Sequence, residues 1–325
     1  MRTLSATLLA AQKSPSSLPH IEAKVYDFEQ GIKRLTWTRL YTGTEPDNHH
    51  GIAFDGQGSM HRIKAFGTSL FHQRITTPGP ASDYSQWIQL VNNCQAPCAI
   101  AASGAKVYIF GTTGSVIWCY YSHNYGIAGG WSFAQLSTCA NVLSMAACWK
   151  GTTSIVVCFA ATAIQLRAIV LDTADQSVSE YFYNHALDTI YGIGATFRDN
   201  QFPIIFAGKD TVDTVVTYSL YASQFSPVGA SYNFLSPIVI LSAQDDQSTI
   251  FQEPDCHSPS TPYDYETLLL TAIESYSGIT AYNRPLLSHL VKGTDWSSAT
   301  ITEPKPFINI SSTYGLRLMT DSSYW

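Results

Sequence analysis

Apolar and polar positions fall along this chain in short runs of about 4–8 residues bounded by Gly, Asx and Ser, which is the spacing of strands and not of helices. From His50 onward one order of runs returns: a small-residue apolar run, a β-branched run, an aromatic-rich run, then a segment with Trp or Tyr followed by leucine. The clearest copy reads CAIAASG (98–104), KVYIFG (106–111), SVIWCYYS (115–122) and GWSFAQL (130–136). The next gives VLSMAAC, SIVVCFA, IQLRAIVL and SEYFYNHAL, and the one after it YGIGATF, PIIFAG, VTYSLYAS and SYNFLSP. Looser copies run from HGIAFD to SQWIQL and from near residue 250, through TLLLTAI, to DWSSATI.

Copies starting near residues 50, 98, 141, 191 and 250 recur at the period of about 40–50 residues expected of a four-stranded propeller blade. The order of run types has a physical cause. An innermost strand lines a crowded axis and suits Ala, Gly and Ser, while middle strands lie between neighbouring blades and are apolar on both faces. A sandwich would also alternate, but would not repeat four strand types in order. The chain is therefore expected to be all-β, a β-propeller of about six four-stranded blades. PFINISS and YGLRLMT (306–320) begin a sixth copy, and two unassigned strands, EAKVYDF and IKRLTWTRL, lie within 22–43. Those four are expected to complete one blade, closing the ring and removing an open sheet edge.

The opening MRTLSATLLAAQKSPS reads as a short N-terminal amphipathic helix. Thr3 caps it, Met1, Leu4, Leu8 and Ala11 share a face, and Pro15 stops it. This gives residues 1–21 as a partner-docking helix and linker and 22–325 as the propeller, with a secretory signal as the rival reading of the same segment. No apolar run has the length of a membrane span.

Composition narrows the function. Charged residues make up 13% of the 325, about half the usual share, and the net charge is −6 without a basic cluster, so the footprint of a nucleic-acid binder is missing. The seven cysteines lie mostly in apolar runs. Cys94 and Cys98 form C-x3-C with no second pair at zinc spacing; free thiols of a chain made in a reducing cytoplasm are the expected state, with a local disulfide as the rival reading. Glu45, Asp47, His49, His50 and His61 could be drawn into a metal site, but adjacent histidines on a strand point to opposite faces. Their segment reads instead as a joint between the N-terminal strands and the first blade. No metal, cofactor or catalytic residue is assigned.

RLTWTRLYTGTEPDNHHGIAFDGQGSMHRIK (34–64) and LFHQRITTPGPASDYSQW (70–87), behind the opening segment, resemble the front of a group of phage- and prophage-encoded proteins found among tail genes. Those proteins look like propellers of the sialidase or Asp-box kind. The resemblance implies a virion component of a tail fibre, tail tip or baseplate, made in the host cytoplasm, with other tail proteins and copies of itself as partners and host attachment as a contribution. It implies a structural protein and not an enzyme. The alternative is a glycan-binding lectin or sialidase-like glycoside hydrolase acting on host surface polysaccharide. Asp-box matches are poor: Ser122, Asn124, Gly126 and Trp131 carry Asn for Asp, and Ser82, Asp83 and Trp87 lack the glycine.

A sialidase needs three convergent arginines. Arg62 and Arg74 fall in the first blade, Arg167 in the third and Arg198 in the fourth; Arg74 and Arg167 could face a common pocket, but no motif demands it, and exposed strand arginines are the preferred reading. Asp264 and Glu266 are the nearest thing to a glycosidase carboxylate pair, but they are adjacent on one chain, and a solvated loop is the preferred reading. The irregular segment QEPDCHSPSTPYDYE (252–266), with Tyr263 and Tyr265, and YYSHNYG (120–126), with Tyr120, Tyr121 and Tyr125, are the candidate glycan or partner contacts, because aromatic faces suit sugar stacking.

Overall fold

A computed structural model describes residues 5–13, 19–27, 36–42, 49–78, 86–212, 215–243, 249–257, 267–277, 282–301, 305–306 and 313–320. Six antiparallel sheets account for nearly all of them. Blade 1 holds β4 (His49–Phe54), β5 (Met60–Phe66), β6 (Ser69–Ile75) and β7 (Ile88–Asn92), from the innermost strand outward. Blade 2 holds β8 (Gln95–Ser103), β9 (Lys106–Thr113), β10 (Val116–Ser122) and β11 (Ser132–Thr138). Blade 3 holds β12 (Ser144–Trp149), β13 (Ile155–Ala161), β14 (Gln165–Asp172) and β15 (Val178–Asn184).

Blade 4 holds β16 (Thr189–Ala195), β17 (Phe202–Val212) and β18 (Val215–Val228), and its outer edge is shared by β19 (Ser231–Phe234) and β20 (Ile238–Ser242). Blade 5 holds β21 (Thr249–His257), β22 (Thr267–Tyr276) and β23 (Tyr282–Val291), with β24 (Thr300–Ile301) and β25 (Lys305–Pro306) on its edge. The innermost strands touch in sequence, β4 to β8 to β12 to β16 to β21. These strands begin at the copies read from the sequence, so the all-β propeller expectation holds.

Ring closure holds too, with a different division of labour. The sixth sheet has the order β26-β1-β2-β3, where β1 is Ser5–Lys13, β2 is Pro19–Asp27, β3 is Thr36–Thr42 and β26 is Thr313–Thr320. Three strands come from the front of the chain and one from the back, not two and two, and β26 contacts β21 and β4 to join the inner ring. The expected N-terminal helix is thus a strand. Leu8 lies opposite Lys24 and Leu318, and Ala11 opposite Ile21 and Tyr314, as ladder positions in a sheet; Met1 and Leu4 lie outside the described residues. The physical reason is that a short apolar run with strands on both sides gains two backbone ladders, and its three-to-four spacing is equally that of a strand apolar on both faces. The docking-helix boundary at residue 21 falls with it. Pro306, expected in the last blade, instead pairs, together with Lys305, with β23 of blade 5.

Backbones approach closely near the axis. A Cβ on Gly56 would lie 2.8 Å from Cα of Gly104, and one on Gly194 would lie 2.5 Å from Cα of Asp255 in the next blade. A bare glycine is therefore a steric requirement at Gly194 on the inner strand β16 and at Gly56 in the β4–β5 turn. Among the described residues, four apolar cores lie between sheets, joining blades 1 and 2, 2 and 3, 3 and 4, and 4 and 5.

Candidate functional site at the rim of blade 3

Two polar groupings stand out, one exposed and one sealed. The exposed one is on the outer half of blade 3, on the face turned toward blade 2. In the β14–β15 ladder Gln165 lies opposite Asn184, Arg167 opposite Phe182 and Ile169 opposite Glu180. Paired residues share a face, and the alternate set (Leu166, Ala168, Val170, Tyr181, Tyr183) packs toward blade 4.

Arg167 is the hub. Its Nε donates to Gln165 Oε1 at 2.9 Å and its Nη1 donates to the Thr138 carbonyl of blade 2 at 3.0 Å. Nη1 also lies 3.5 Å from Glu180 Oε2, and the guanidinium carbon sits 4.8 Å from the Phe182 ring centroid. Gln165 Nε2 donates to Asn184 Oδ1 at 2.8 Å. Phe182 remains 51% exposed. Chemically this is a half-open apolar ring bordered by a charge-balanced Arg–Glu pair and two amides, offering hydrogen-bond donors and acceptors beside a flat CH-binding face. Blade 2 has a related but less polar counterpart: Phe133, 69% exposed, lies on the side of β11 facing blade 1, with Trp118 at 6.1 Å between ring centroids.

The sealed grouping lies in the seam between blades 1 and 2. Asp55, in the β4–β5 turn, accepts the backbone N–H of Gln57 at 2.8 Å and of Ser59 at 2.9 Å through Oδ1. Its Oδ2 meets His61 Nε2 at 3.2 Å and Arg74 Nη2 at 3.3 Å. His61 Nδ1 in turn meets His72 Nε2 at 3.0 Å. The 123–131 loop of blade 2 covers the row: Trp131 packs edge-on against the His72 ring at 4.9 Å, and Tyr125 lies under the Arg74 guanidinium at 5.7 Å.

Burial alone would raise the Asp55 carboxyl, but the Ser59 and Gln57 amides and His61 outweigh it and hold it below its usual range. Burial lowers His61 against the opposing pull of Asp55. Burial first, then His61 and Arg74, pushes His72 down to about 3. The two rings are therefore neutral near pH 7. Asp55 places the proton of His61 on Nε2, His61 Nδ1 accepts from His72, and His72 Nδ1 is left buried without a partner. These groups are strung in a line, and among the described residues no group of three His, Cys, Asp or Glu is arranged to hold a metal ion.

The sequence-derived candidates separate. Tyr120 is 8% exposed and packs in the core of the blade 1–2 seam, so it is a core residue and not a contact. Tyr121 stacks on Tyr108, with ring centroids 5.4 Å apart. Tyr125, at φ 52°, belongs to the loop over Arg74. Tyr263 and Tyr265 lie outside the described residues, as do Asp264 and Glu266, while 252–257 of the supposed insertion belong to β21. Arg74 and Arg167 share no pocket: Arg74 is held by Asp55, Gln57 and Ser59 in blade 1, Arg167 by Gln165 and Glu180 in blade 3. His61 belongs to the seam row, and Cys94 and Cys98 are separate buried thiols. Neither Glu180 nor Phe182 was legible as a site residue, because their meeting with Arg167 depends on strand register. The segment SEYFYN carries the one available signal, an aromatic at a position the outer strand turns to solvent.

No family model and no curated protein matches this sequence. Among solved structures, the chain is similar to a protein from Lactobacillus plantarum, at 9% identity over 97% of this chain and 99% of that one, with a TM-score of 0.54. It is similar to a putative 6-phosphogluconolactonase from Bacteroides uniformis, at 10% identity over 98% and 100%, with a TM-score of 0.53. It is also similar to the Aleuria aurantia lectin, a six-bladed β-propeller, at 15% identity over 93% and 96%, with a TM-score of 0.48. At such identities a likeness carries the fold alone. It does correct one expectation: a putative 6-phosphogluconolactonase spans the same architecture from end to end, so the propeller gives no ground for a non-enzymatic assignment. The chain is a β-propeller.

Proposed function

We propose that this protein is a carbohydrate-recognising propeller whose contact lies on the outer rim of blade 3. The observation that carries this reading is the half-exposed Phe182 ring bordered by Arg167, Glu180, Gln165 and Asn184. A sugar presents an apolar CH patch beside a ring of hydroxyls, and this surface is its complement. Arg167 is already balanced by Glu180, which favours a neutral ligand over an acidic one.

The test is a glycan panel read for both binding and sugar release, with Phe182→Ala and Arg167→Ala as variants. Binding to a neutral glycan that weakens at least about tenfold in each variant supports the reading, that being the loss of about 1.4 kcal/mol of contact energy. An inert panel, or variants that bind as the parent does, removes it.

A second reading concerns where such recognition would operate. The resemblance of the first hundred or so residues to phage tail proteins favours a tail appendage, with other tail proteins and host surface glycan as partners. Mass spectrometry of purified particles finding this chain in stoichiometric amount would support that setting; its absence from particles while it accumulates in the producing cell would exclude it.

A further inference from the structure

We infer that the seam between blades 1 and 2 is an acid-opened joint, in which protons taken up by His61 and His72 release the 123–131 loop from blade 1. The geometry that carries this is the unbroken row Asp55–His61–His72, capped by Arg74 and covered by Trp131 and Tyr125. All four polar members belong to blade 1, and the cover belongs to blade 2. The state of the row therefore decides how well two wedges of the ring fit together.

The row has room for few protons. His61 and His72 side chains are fully buried, with both residues at 0% exposure. A first proton makes His61 a donor on both nitrogens, to Asp55 and to His72 Nε2, and forces the remaining proton of His72 onto Nδ1. That atom is buried and has no acceptor. A second proton places a charge on His72 beside a protonated His61 and close to Arg74, with Asp55 as the single carboxylate against three cations. Gly126 lets the blade 2 loop lie directly over the two rings: a Cβ there would lie 3.0 Å from His72 Cε1 and 3.2 Å from His61 Cε1.

The charged and titratable groups facing the two rings are Asp55 from the β4–β5 turn, Arg74 from β6 and Tyr125 from the blade 2 loop, besides each other. His123, on the same loop, turns instead to Tyr108, 2.8 Å away, on the far side of blade 2. Both seam rings are harder to protonate in place than when released, the usual His value being about 6.5. Opening is therefore favoured as pH falls below about 6.5, and down to about 3 for His72. The expected gain in the opening constant is roughly tenfold per pH unit for each ring protonated only in the open form.

The experiment is hydrogen exchange with mass-spectrometric readout on the full chain at pH 7.5 and pH 5.0, corrected for intrinsic exchange. Peptides covering 55–75 and 123–131 are expected to lose at least tenfold in protection at the lower pH. Peptides covering 202–234, in the seam between blades 3 and 4, are expected to stay as they are. His72→Gln keeps a donor toward His61 but cannot be protonated, and is expected to reduce the response at least threefold; His123→Gln is expected to leave it intact. Equal pH responses in the parent and His72→Gln, or no local response in the parent, overturn the proposal. If His72→Gln does not fold, a histidine-ring NMR titration of the parent decides. Rings that titrate near pH 6.5 while 123–131 stays protected overturn it, and rings silent until that loop opens sustain it.

Discussion

The seams on either side of blades 2 and 3 solve one packing problem with opposite chemistry. Between blades 3 and 4 the core is aromatic: Phe225 packs against Phe159, Phe202, Tyr181, Tyr232 and Phe234, with ring centroids 4.7–5.9 Å apart. Between blades 1 and 2 the same depth of seam holds Asp55, His61, His72 and Arg74 as well as apolar residues. An aromatic seam depends on area and shape, which pH does not touch; a polar seam depends on every donor meeting an acceptor. The ring can thus be uniform in outline and uneven in its sensitivities.

The largest expected effect breaks the aromatic seam. Phe225→Ala should cost about 4 kcal/mol of unfolding free energy in denaturant titration, with the same loss at pH 7.5 and pH 5.5. Asp55→Ala comes next, at about 3 kcal/mol, because it leaves the Gln57 and Ser59 amides, His61 and Arg74 without their shared acceptor. Its loss should shrink at low pH, since there the seam of the parent is already weakened.

The parent itself sharpens the contrast. Because His61 and His72 are lowered in the folded chain, the stability they allow is complete above the unfolded value of about 6.5 and drains away as pH falls. The slope should reach about 1.4 kcal/mol per pH unit for each ring, measured as the shift in denaturation midpoint between pH 6.5 and 4.5. Smallest is Lys150→Met. Lys150 reaches from the β12–β13 turn to the Tyr232 hydroxyl at 3.3 Å, a partly exposed bond worth about 0.5 kcal/mol, and its removal should leave the blade 3–4 seam as acid-resistant as before.

Sequence order made the blades legible because strand type follows depth: CAIAA inside, VYIF between, and Trp or Tyr with intervening polar residues outside. It misjudged 5–13, where SATLLAAQK satisfies a helix face and a two-faced strand equally well until β2 and β26 are placed beside it. The polar seam was hidden for another reason. MHRIKAF reads as a strand with polar residues on both faces, which looks solvated, yet His61, Arg62 and Lys64 are all buried between neighbouring blades. Only the register of β5 against β6, with His61 opposite Arg74 and Ile63 opposite His72, shows which polar residues are neighbours. The rim site had the same difficulty, since Arg167 and Phe182 are fifteen positions apart and meet through a hairpin.

Backbone contact at the hub has a mechanical corollary. Where Gly194 of blade 4 abuts blade 5, a Cβ would meet Cα of Asp255 at 2.5 Å and the Pro254 carbonyl oxygen at 2.7 Å, with Asp255 Oδ1 at 3.0 Å, so the wedge angle between those sheets is set chiefly by main chain packed against a bare glycine. A single methyl inserted there works at the short arm of a lever whose long arm ends at the circumference. Gly194→Ala should tilt its blade outward and be felt most at the outer edge, far from the atom that was added.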